Sequence, residues 1–288
     1  MGKGLRTILT KEDLNRLYLE EKRSLEDIAR LYGASRVAIW KYCKDEQLTI
    51  RNRSEARLEA QKSGKVPQNY YDINECFFSN WSREMAYVLG LIATDGCISR
   101  FGTVALCIND RELLQKVKSL MGSAHNIKYY GHQDGLYNFS FSRQKLVSDL
   151  NKLGVFPNKS LTIRFPDVPD AFLIDFIRGV FDGDGSVFFD KRSENYPIRT
   201  KFVSSSKEFI KKLELALRKF GMPERIIYEQ PTKNAISYMF KYGHKDSEKL
   251  FAAMYKDAQN GLFLERKYKK FLDGFNKKGI EVPIDKQA

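Results

Sequence analysis

The chain has 288 residues, of which 49 are Lys or Arg and 36 are Asp or Glu, so its formal net charge is +13. Such a surplus indicates a polyanionic partner, with nucleic acid favoured over an anionic membrane surface. Hydrophobic residues make up 42% of the chain, enough for sizeable cores, which excludes disorder of the whole chain. No window approaches the roughly 18 consecutive apolar residues of a membrane-spanning helix, and no secretion signal is recognisable. We therefore expect a cytoplasmic protein without a membrane partner.

The first 50 residues have the pattern of three short helices. Thr10 and Ser24 each stand three residues before an aspartate, which is the spacing of a helix-capping box, and Ser35 follows the helix-breaking Gly33. Ala29 and Gly33 are small residues at positions where the helices of a helix-turn-helix approach and turn. The pattern resembles the helix-turn-helix family of DNA-binding proteins, although the same spacing also occurs in ordinary helical proteins.

The outward positions of the third helix combine hydrogen-bond donors, positive charge and one aromatic ring. Such a set is typical of a helix that contacts phosphates and base edges. Its members are Ser35, Arg36, Trp40, Lys41 and Lys44. Trp40 is alternatively a core residue. Residues 51–80 are polar and basic, with Arg51 and Arg53 near the start, and we predict a linker that either tracks the DNA backbone or is simply solvated.

The rest of the chain contains an internal repeat. Residues 86–96 and 175–185 are both apolar segments with a glycine in the middle and an Asp-Gly pair at the end, 89 positions apart. After each copy the hydrophobic pattern alternates with a period of two, and helical segments separate the alternating runs. We therefore predict an α+β fold with two pseudo-symmetric αββαββα repeats, over residues 81–168 and 169–278, preceded by a small all-α helix-turn-helix domain.

Gly90 and Gly179 lie in the middle of the two repeated helices, where a glycine costs about 1 kcal/mol relative to alanine. Their equivalent positions indicate that the two helices cross there with their backbones close together. Asp95 and Asp184 then end two adjacent helices, where the negative end of each helix dipole and the neighbouring carboxylate disfavour both negative charges. Such a pair requires cations at the site, and we expect two or more divalent ions shared between Asp95 and Asp184. Mg²⁺ fits because it binds few carboxylates together with phosphate oxygens.

The segments from Val88 to Gly96 and from Ile177 to Gly185 resemble the two copies of the nine-residue motif that names the LAGLIDADG homing endonucleases. The resemblance covers about residues 75–275 and includes the order of strands after each motif. It departs from the family pattern at Ala93, Thr94 and Arg178. The resemblance implies a monomeric, two-motif enzyme that cuts both strands of DNA, with the last acid of each motif binding the metal.

The family resemblance also implies which side chains take part in cleavage. The two acids are Asp95 and Asp184, both of which this sequence keeps. Each half of the family fold supplies a lysine near the cleaved phosphate, and the matching positions here are Lys159 and Lys267. A phosphate-clamping or solvated role is an equally good interpretation of each lysine, and Arg266 is an alternative to Lys267.

The alternating strands predict a DNA-binding surface of side chains that point away from the core. Four twisted hairpins from two such halves would form a saddle along a major groove. The predicted contacts are Thr103, Asn138, Ser140 and Ser142 in the first half, and Arg199, Lys201, Ser237 and Lys241 in the second. Because the halves differ at these positions, we expect a long asymmetric target.

The sequence therefore favours a site-specific, Mg²⁺-dependent endonuclease of the homing type that acts on double-stranded DNA as a monomer. The alternative is a non-cleaving protein on the same fold, either a transcriptional regulator or an intron-splicing maturase. Degenerate versions of that kind normally lose a motif acid. Neither acid is lost here, which favours the enzyme.

Overall fold

The computed structural model describes residues 3–65, 71–131, 135–190, 198–232, 235–258 and 261–277. The chain forms two compact units, residues 1–70 and 71–288, each with a hydrophobic core of its own. Across the described ranges, no helix is both long enough and apolar enough to cross a membrane.

The first unit is built from helices. They are α1 (Lys3–Ile8), α2 (Lys11–Asn15) with a π-helical turn after it (Arg16–Glu20), α3 (Leu25–Leu31), α4 (Arg36–Asp45) and α5 (Arg53–Lys62). Ser24 and Asp27 form the predicted capping box at the start of α3, which is thereby confirmed. The Ser35 hydroxyl caps α4 by accepting a hydrogen bond from the Ala38 amide.

Apolar side chains from the first helices form the core of this unit. Leu14, Ile28 and Ile39 come from α2, α3 and α4 and are each 0% exposed. Gly33 lies between α3 and α4 with a φ of 61°, a left-handed conformation that glycine adopts without strain. The glycine therefore allows the tight turn between the two helices.

Helix α5 lies inside the segment that the sequence predicts to be a linker. Its start is stabilised by a capping box that the sequence analysis overlooks. The Asn52 side chain accepts a hydrogen bond from the Glu55 amide, and the Glu55 carboxylate accepts one from the Asn52 amide. The polar composition of this segment thus conceals a helix with its own start signal.

The second unit consists of two repeats with the same order of elements, followed by one more helix. The first repeat contains α6 (Arg83–Asp95), β1 (Gly96–Ile98), β2 (Val104–Ile108), α7 (Arg111–Leu120), β3 (Lys128–Tyr130), β4 (Leu136–Phe141) and α8 (Gln144–Lys152). The second contains α9 (Asp170–Asp184), β5 (Ser186–Phe189), β6 (Ile198–Ser204), α10 (Lys207–Arg218), β7 (Tyr228–Pro231), β8 (Ile236–Tyr242) and α11 (His244–Tyr255). The last helix within the described residues is α12 (Glu265–Asn276). The predicted α+β fold with two αββαββα repeats is confirmed.

Each repeat folds its four strands into one antiparallel sheet, in the orders β1-β2-β4-β3 and β5-β6-β8-β7. The alternation in the sequence decides which side of each strand is buried. Along β6, Ile198, Thr200, Phe202 and Ser204 are buried, and the residues between them are partly exposed. One side of the strand therefore packs into the core while the other remains accessible.

Candidate active site

Helices α6 and α9 cross at their two central glycines. A methyl group added to Gly179 would lie 3.1 Å from the Gly90 Cα, and one added to Gly90 would lie 2.8 Å from the Val180 amide nitrogen. These neighbours are backbone atoms, which cannot rotate away as a side chain could. The structure thus brings together the two glycines that the sequence places at a helix crossing.

The crossing carries the C-terminal ends of both helices to the same place. Asp95 is the last residue of α6, and Asp184 is the last residue of α9. Gly183 lies directly against Thr94, and a Cβ atom on Gly183 would be 3.3 Å from the Asp95 Oδ2 atom. The glycine at position 183 therefore leaves room for the Asp95 carboxylate beside the end of α9.

Desolvation raises the pKa of both aspartates. The pKa of Asp95 rises to about 6, first because its carboxylate is desolvated and then because of the negative charge of Asp184. Asp184 is exposed, and desolvation by the groups around it raises its pKa as well, against the opposing charges of Lys159 and Lys267. Neither carboxylate is hydrogen-bonded or ion-paired to a described residue. A bound cation would relieve both unfavourable charges.

Lys267, the predicted lysine of the second repeat, is buried at the end of α9 and is 4% exposed. Its ammonium donates to the carbonyl oxygens of Phe181 (2.6 Å), Asp182 (2.7 Å), Gly183 (3.2 Å) and Gly185 (2.6 Å). Burial lowers the pKa of Lys267 to about 8, and the charge of Asp182 acts in the opposite direction. Lys267 therefore closes the last turn of the helix that carries Asp184.

Lys159, its counterpart in the first repeat, begins a 3₁₀ turn (Lys159–Leu161) and is 5% exposed. Burial lowers the pKa of Lys159, and the charges of Asp184, Cys97 and Asp95 act in the opposite direction. Both predicted lysines therefore lie beside the aspartate pair. Of the two, only Lys267 donates hydrogen bonds to carbonyl groups in the described part of the chain.

Two cavities flank the aspartate pair. One of about 200 Å³ is bordered by Asp95, Asp182 and Arg266. The other, of about 770 Å³, is bordered by Asp184, Lys201 and again Arg266. Arg266, the alternative to Lys267 in the sequence, is exposed and reaches both cavities. The cations around the carboxylates are suited to a phosphate backbone.

A buried carboxylate that the sequence analysis does not single out joins α6 to α9. Asp182 is 2% exposed and accepts hydrogen bonds from the Tyr87 hydroxyl (2.7 Å) and the Leu264 amide (2.9 Å). Its second oxygen, Oδ1, is buried without a hydrogen-bond partner among the described residues. Asp182 thereby ties the residues that precede α12 to both motif helices.

Arg178 extends this buried network. It is 3% exposed, forms an ion pair with Asp175 (2.8 Å), and donates to the carbonyl oxygens of Met254 (2.8 Å) and Leu262 (3.2 Å). A signal for the network is present in the sequence, because charged residues 175, 178 and 182 share one face of an otherwise apolar helix. Arg178 is the departure from the family motif in the second copy, and it anchors the segment between α11 and α12.

The predicted DNA-contacting residues of the two sheets differ in accessibility. Ser142 and Lys241 are exposed, and Thr103, Ser140, Arg199, Lys201 and Ser237 are partly exposed. The Thr103 and Ser142 hydroxyls are 2.9 Å apart, and Arg199 pairs with Asp190 at 2.9 Å. Asn138, by contrast, is 8% exposed and donates to Cys107 Sγ at 2.8 Å. It is less accessible than expected because β2 and β3 flank it on both sides.

In the first unit, the predicted DNA-contacting residues of α4 are all exposed: Ser35, Arg36, Trp40, Lys41 and Lys44. Trp40 lies at the surface, with the Lys44 ammonium 4.4 Å from its ring centre, and is not a core residue. Arg53 is exposed as well. Arg51 instead stacks on the Tyr18 ring at 4.2 Å and donates to the Lys22 carbonyl at 2.9 Å. Its guanidinium therefore binds the protein's own backbone rather than projecting from a free linker.

The donor set at the paired helix ends fits a magnesium ion that DNA helps to coordinate. Asp95 and Asp184 offer carboxylate oxygens, and no group of three or more His, Cys, Asp or Glu side chains suited to a metal occurs among the described residues. Mg²⁺ typically takes one or two carboxylates and completes its shell with water and phosphate oxygens. Residues that would hold the ion are therefore present, and the remaining ligands would come from water and phosphate.

Residues 171–254, which run from α9 into α11, match the profile of the LAGLIDADG-like domain. The match lies within the second repeat. The first repeat has the same strand order and the same Asp-Gly step at the end of its first helix. One repeat of the chain therefore matches a LAGLIDADG-like domain, and the other repeat shares the architecture of the matching one.

The chain is similar to proteins of several descriptions. A probable translation initiation factor IF-2 of Methanocaldococcus jannaschii is 27% identical over 193 residues, which is 64% of this chain but only 14% of the length of that protein. The N-terminal LAGLIDADG domain of DUF199/WhiA is 18% identical with a TM-score of 0.44, covering 66% of this chain and 92% of that one. A variant of the homing endonuclease I-DmoI, solved with nicked target DNA and manganese, is 16% identical with a TM-score of 0.42. The match covers 65% of this chain and 99% of that one.

Proposed function

We propose that this chain is a site-specific DNA endonuclease of the LAGLIDADG type, which uses Mg²⁺ to make a double-strand break in a long asymmetric target. The observation that carries the proposal is the pair Asp95 and Asp184, which end two crossing helices without a hydrogen-bonding or ionic partner among the described residues. The LAGLIDADG-like domain at residues 171–254 supports the same reaction class.

The chain's own residues prepare the site for phosphodiester hydrolysis. Asp95 and Asp184 would hold the ion, and Lys159 would place a positive charge beside the phosphate. When bound, Mg²⁺ lowers the pKa of a coordinated water and stabilises charge on the leaving oxygen. The water oxygen bonds to phosphorus and the bond from phosphorus to the leaving sugar oxygen breaks. The water gives up a proton to solvent, and the leaving sugar oxygen takes up a proton from solvent to become a hydroxyl. One chain supplies both aspartates, so a monomer suffices to cut both strands.

The accessible strand residues support an asymmetric target. The first repeat offers hydroxyl groups, whereas the second offers mainly cations. The hydroxyls belong to Thr103, Ser140 and Ser142, and the cations to Arg199, Lys201 and Lys241. The exposed face of α4 in the first unit would extend the DNA footprint, because its Arg36, Trp40 and Lys41 suit phosphate and base contacts.

The direct test is incubation of the full chain with a library of randomised duplex DNA and Mg²⁺, followed by sequencing of the newly formed ends. We expect a recurrent double-strand break at one sequence. Asp95→Asn and Asp184→Asn should each slow cleavage at least about 10²-fold, because each removes a metal-binding carboxylate. Binding of the same DNA without divalent ions should change by less than about threefold.

Asp273→Asn is the matched control, because Asp273 is exposed on α12 and the substitution removes the same charge without touching the last residue of α6 or α9. This variant should cut as the unaltered chain does. Full cleavage by both motif variants would disprove the roles given to the aspartates. Retarded but uncut DNA would identify a non-cleaving regulator, and preferential binding of a structured intron would identify a maturase.

A further inference from the structure

The ammonium of Lys267 acts as a cap on α9. The last four carbonyl groups of an α-helix have no partner within the helix, and a basic side chain can satisfy them. Lys267 donates to the carbonyl groups of residues 181, 182, 183 and 185. A lysine ammonium has three N–H donors, so these acceptors use its full donor capacity. No donor of Lys267 is left for a phosphate oxygen.

The charge of Lys267 also has a buried counter-charge. Asp182 is 2% exposed, and it is the opposite charge that acts most strongly on Lys267. The equivalent position in the first repeat, 89 residues earlier, is the uncharged Ala93. The two motif aspartates act on both lysines, whereas Asp182 acts on Lys267 in addition; Lys159 donates no hydrogen bond to a described carbonyl group. The two lysines occupy equivalent places but differ in what they bind.

The guanidinium of Arg266, unlike the ammonium of Lys267, remains available to bind a ligand. Arg266 is exposed, borders both cavities beside the aspartate pair, and its charge favours the ionised form of Asp95. No hydrogen bond or ion pair engages it within the described part of the chain. A free guanidinium binds two phosphate oxygens at once, which a single ammonium does not do.

We propose that Arg266 is the catalytic cation that contacts the scissile phosphate on the side of the second repeat, and that Lys267 is a positioning residue that fixes the end of α9 and, through it, Asp184. The proposal rests on the endonuclease function proposed above. It gives different roles to Lys159 and Lys267, which the family resemblance treats as equivalent.

The first part of the test compares Arg266→Gln with Lys269→Gln in the full chain. For Arg266→Gln we expect cleavage of the selected target to slow by at least about 10²-fold. The slope of log affinity against log salt for a mixed-sequence duplex, measured without divalent ions, should decrease by about 1. The thermal midpoint should shift by less than about 2 °C. Lys269 lies on the same helix, pairs with Glu265 and borders neither cavity, so its variant should cut normally.

The second part of the test uses Lys267→Met. We expect a lower thermal midpoint, faster amide hydrogen exchange in residues 181–185, an unchanged salt slope, and a higher Mg²⁺ concentration for half-maximal cleavage. Leu213→Ala, in the core on α10, is the control that lowers the midpoint without changing the Mg²⁺ requirement. If Lys267→Met does not fold, Lys267→Arg keeps the charge and the donors and should cut within about tenfold of the unaltered rate.

Normal cleavage with an unchanged salt slope in Arg266→Gln would overturn the proposal. A salt slope reduced by about 1 in a stable Lys267 variant would also overturn it, because Lys267 would then bind phosphate. If the unaltered chain cuts no DNA, the endonuclease function fails. The salt slopes and thermal midpoints would still decide which residue binds phosphate and which caps α9.

Discussion

Each motif aspartate carries its charge at the C-terminal end of a helix, where the helix dipole is also negative. Desolvation raises the pKa of both, and the charge of Asp184 raises the pKa of Asp95 further. Without a cation, the ionised pair therefore lowers the free energy of unfolding. Residues that lower stability in this way are common at functional sites, where binding of a ligand compensates.

Asp95→Asn should stabilise the metal-free protein at pH 7 by about 1–2 kcal/mol, because it removes a charge that the folded state disfavours. The pKa of Asp95 is about 6 in the folded protein and 3.8 ordinarily, so the folded state binds the proton more tightly. The destabilising contribution therefore develops as pH rises through about 6 and is absent below about pH 4.

Urea denaturation in the presence of a chelator, at pH 7 and at pH 4, measures this effect. Asp273→Asn controls for loss of an exposed carboxylate and should change the free energy of unfolding by less than about 0.5 kcal/mol. A gain in the free energy of unfolding of Asp95→Asn that persists at pH 4 would contradict the electrostatic cause.

At the scale of elements, the position of both aspartates depends on how closely α6 and α9 approach. Gly90 and Gly179 permit the backbone contact, and the hydrogen bond from Tyr87 to Asp182 joins the same two helices on one side. The network of Asp182 and Arg178 also attaches the segment before α12, which carries Arg266. The second repeat therefore fixes its part of the site by buried polar contacts as well as by apolar packing.

Gly90→Ala should destabilise the second unit by at least about 2 kcal/mol, because the new methyl group would collide with the backbone of α9. Gly4→Ala is the control within a helix, since nothing lies within 4 Å of the added methyl group. It should be neutral or stabilise α1 by up to about 1 kcal/mol. Thermal and urea denaturation measure the stability of both variants. A Gly90→Ala protein as stable as the unaltered chain would disprove the close crossing of α6 and α9.

At the scale of the whole molecule, the positive charge is divided unequally. Residues 1–70 hold 15 basic and 10 acidic side chains, a net charge of +5, so residues 71–288 carry +8. The two units have separate cores without a residue in common. The larger share of phosphate binding is therefore expected from the two repeats, with the first unit adding to it.

Affinity for a mixed-sequence duplex should fall by at least about 10³-fold between about 50 and 200 mM salt, because bound cations release counterions from DNA. Residues 71–288 alone should fold and show a smaller salt slope than the full chain, since the cations of α4 are missing. Fluorescence anisotropy with labelled DNA measures both slopes. A flat salt response of the full chain would contradict phosphate-dominated binding.

Features that depend on residues close together in the chain are predictable here. The capping box of Ser24 and Asp27 needs a spacing of three, and the alternation along β6 needs a period of two. The capping box of Asn52 and Glu55 is harder to predict, because it lies in a polar segment that resembles a linker. The alternation along β4 predicts that Asn138 is exposed. It is buried instead, because the two strands that flank β4 cover it.

The sequence by itself determined the repeated αββαββα architecture, the small residues at the helix crossing and the two aspartates that end the repeated helices, because these features recur at fixed spacing. Only the tertiary structure decided which groups the side chains of Lys159, Lys267 and Arg266 contact. Lys267 meets carbonyl groups more than 80 positions away in the chain, and Asp182 meets Tyr87 at a separation of 95. Such contacts depend on how distant segments pack, so two lysines at equivalent places acquire different partners.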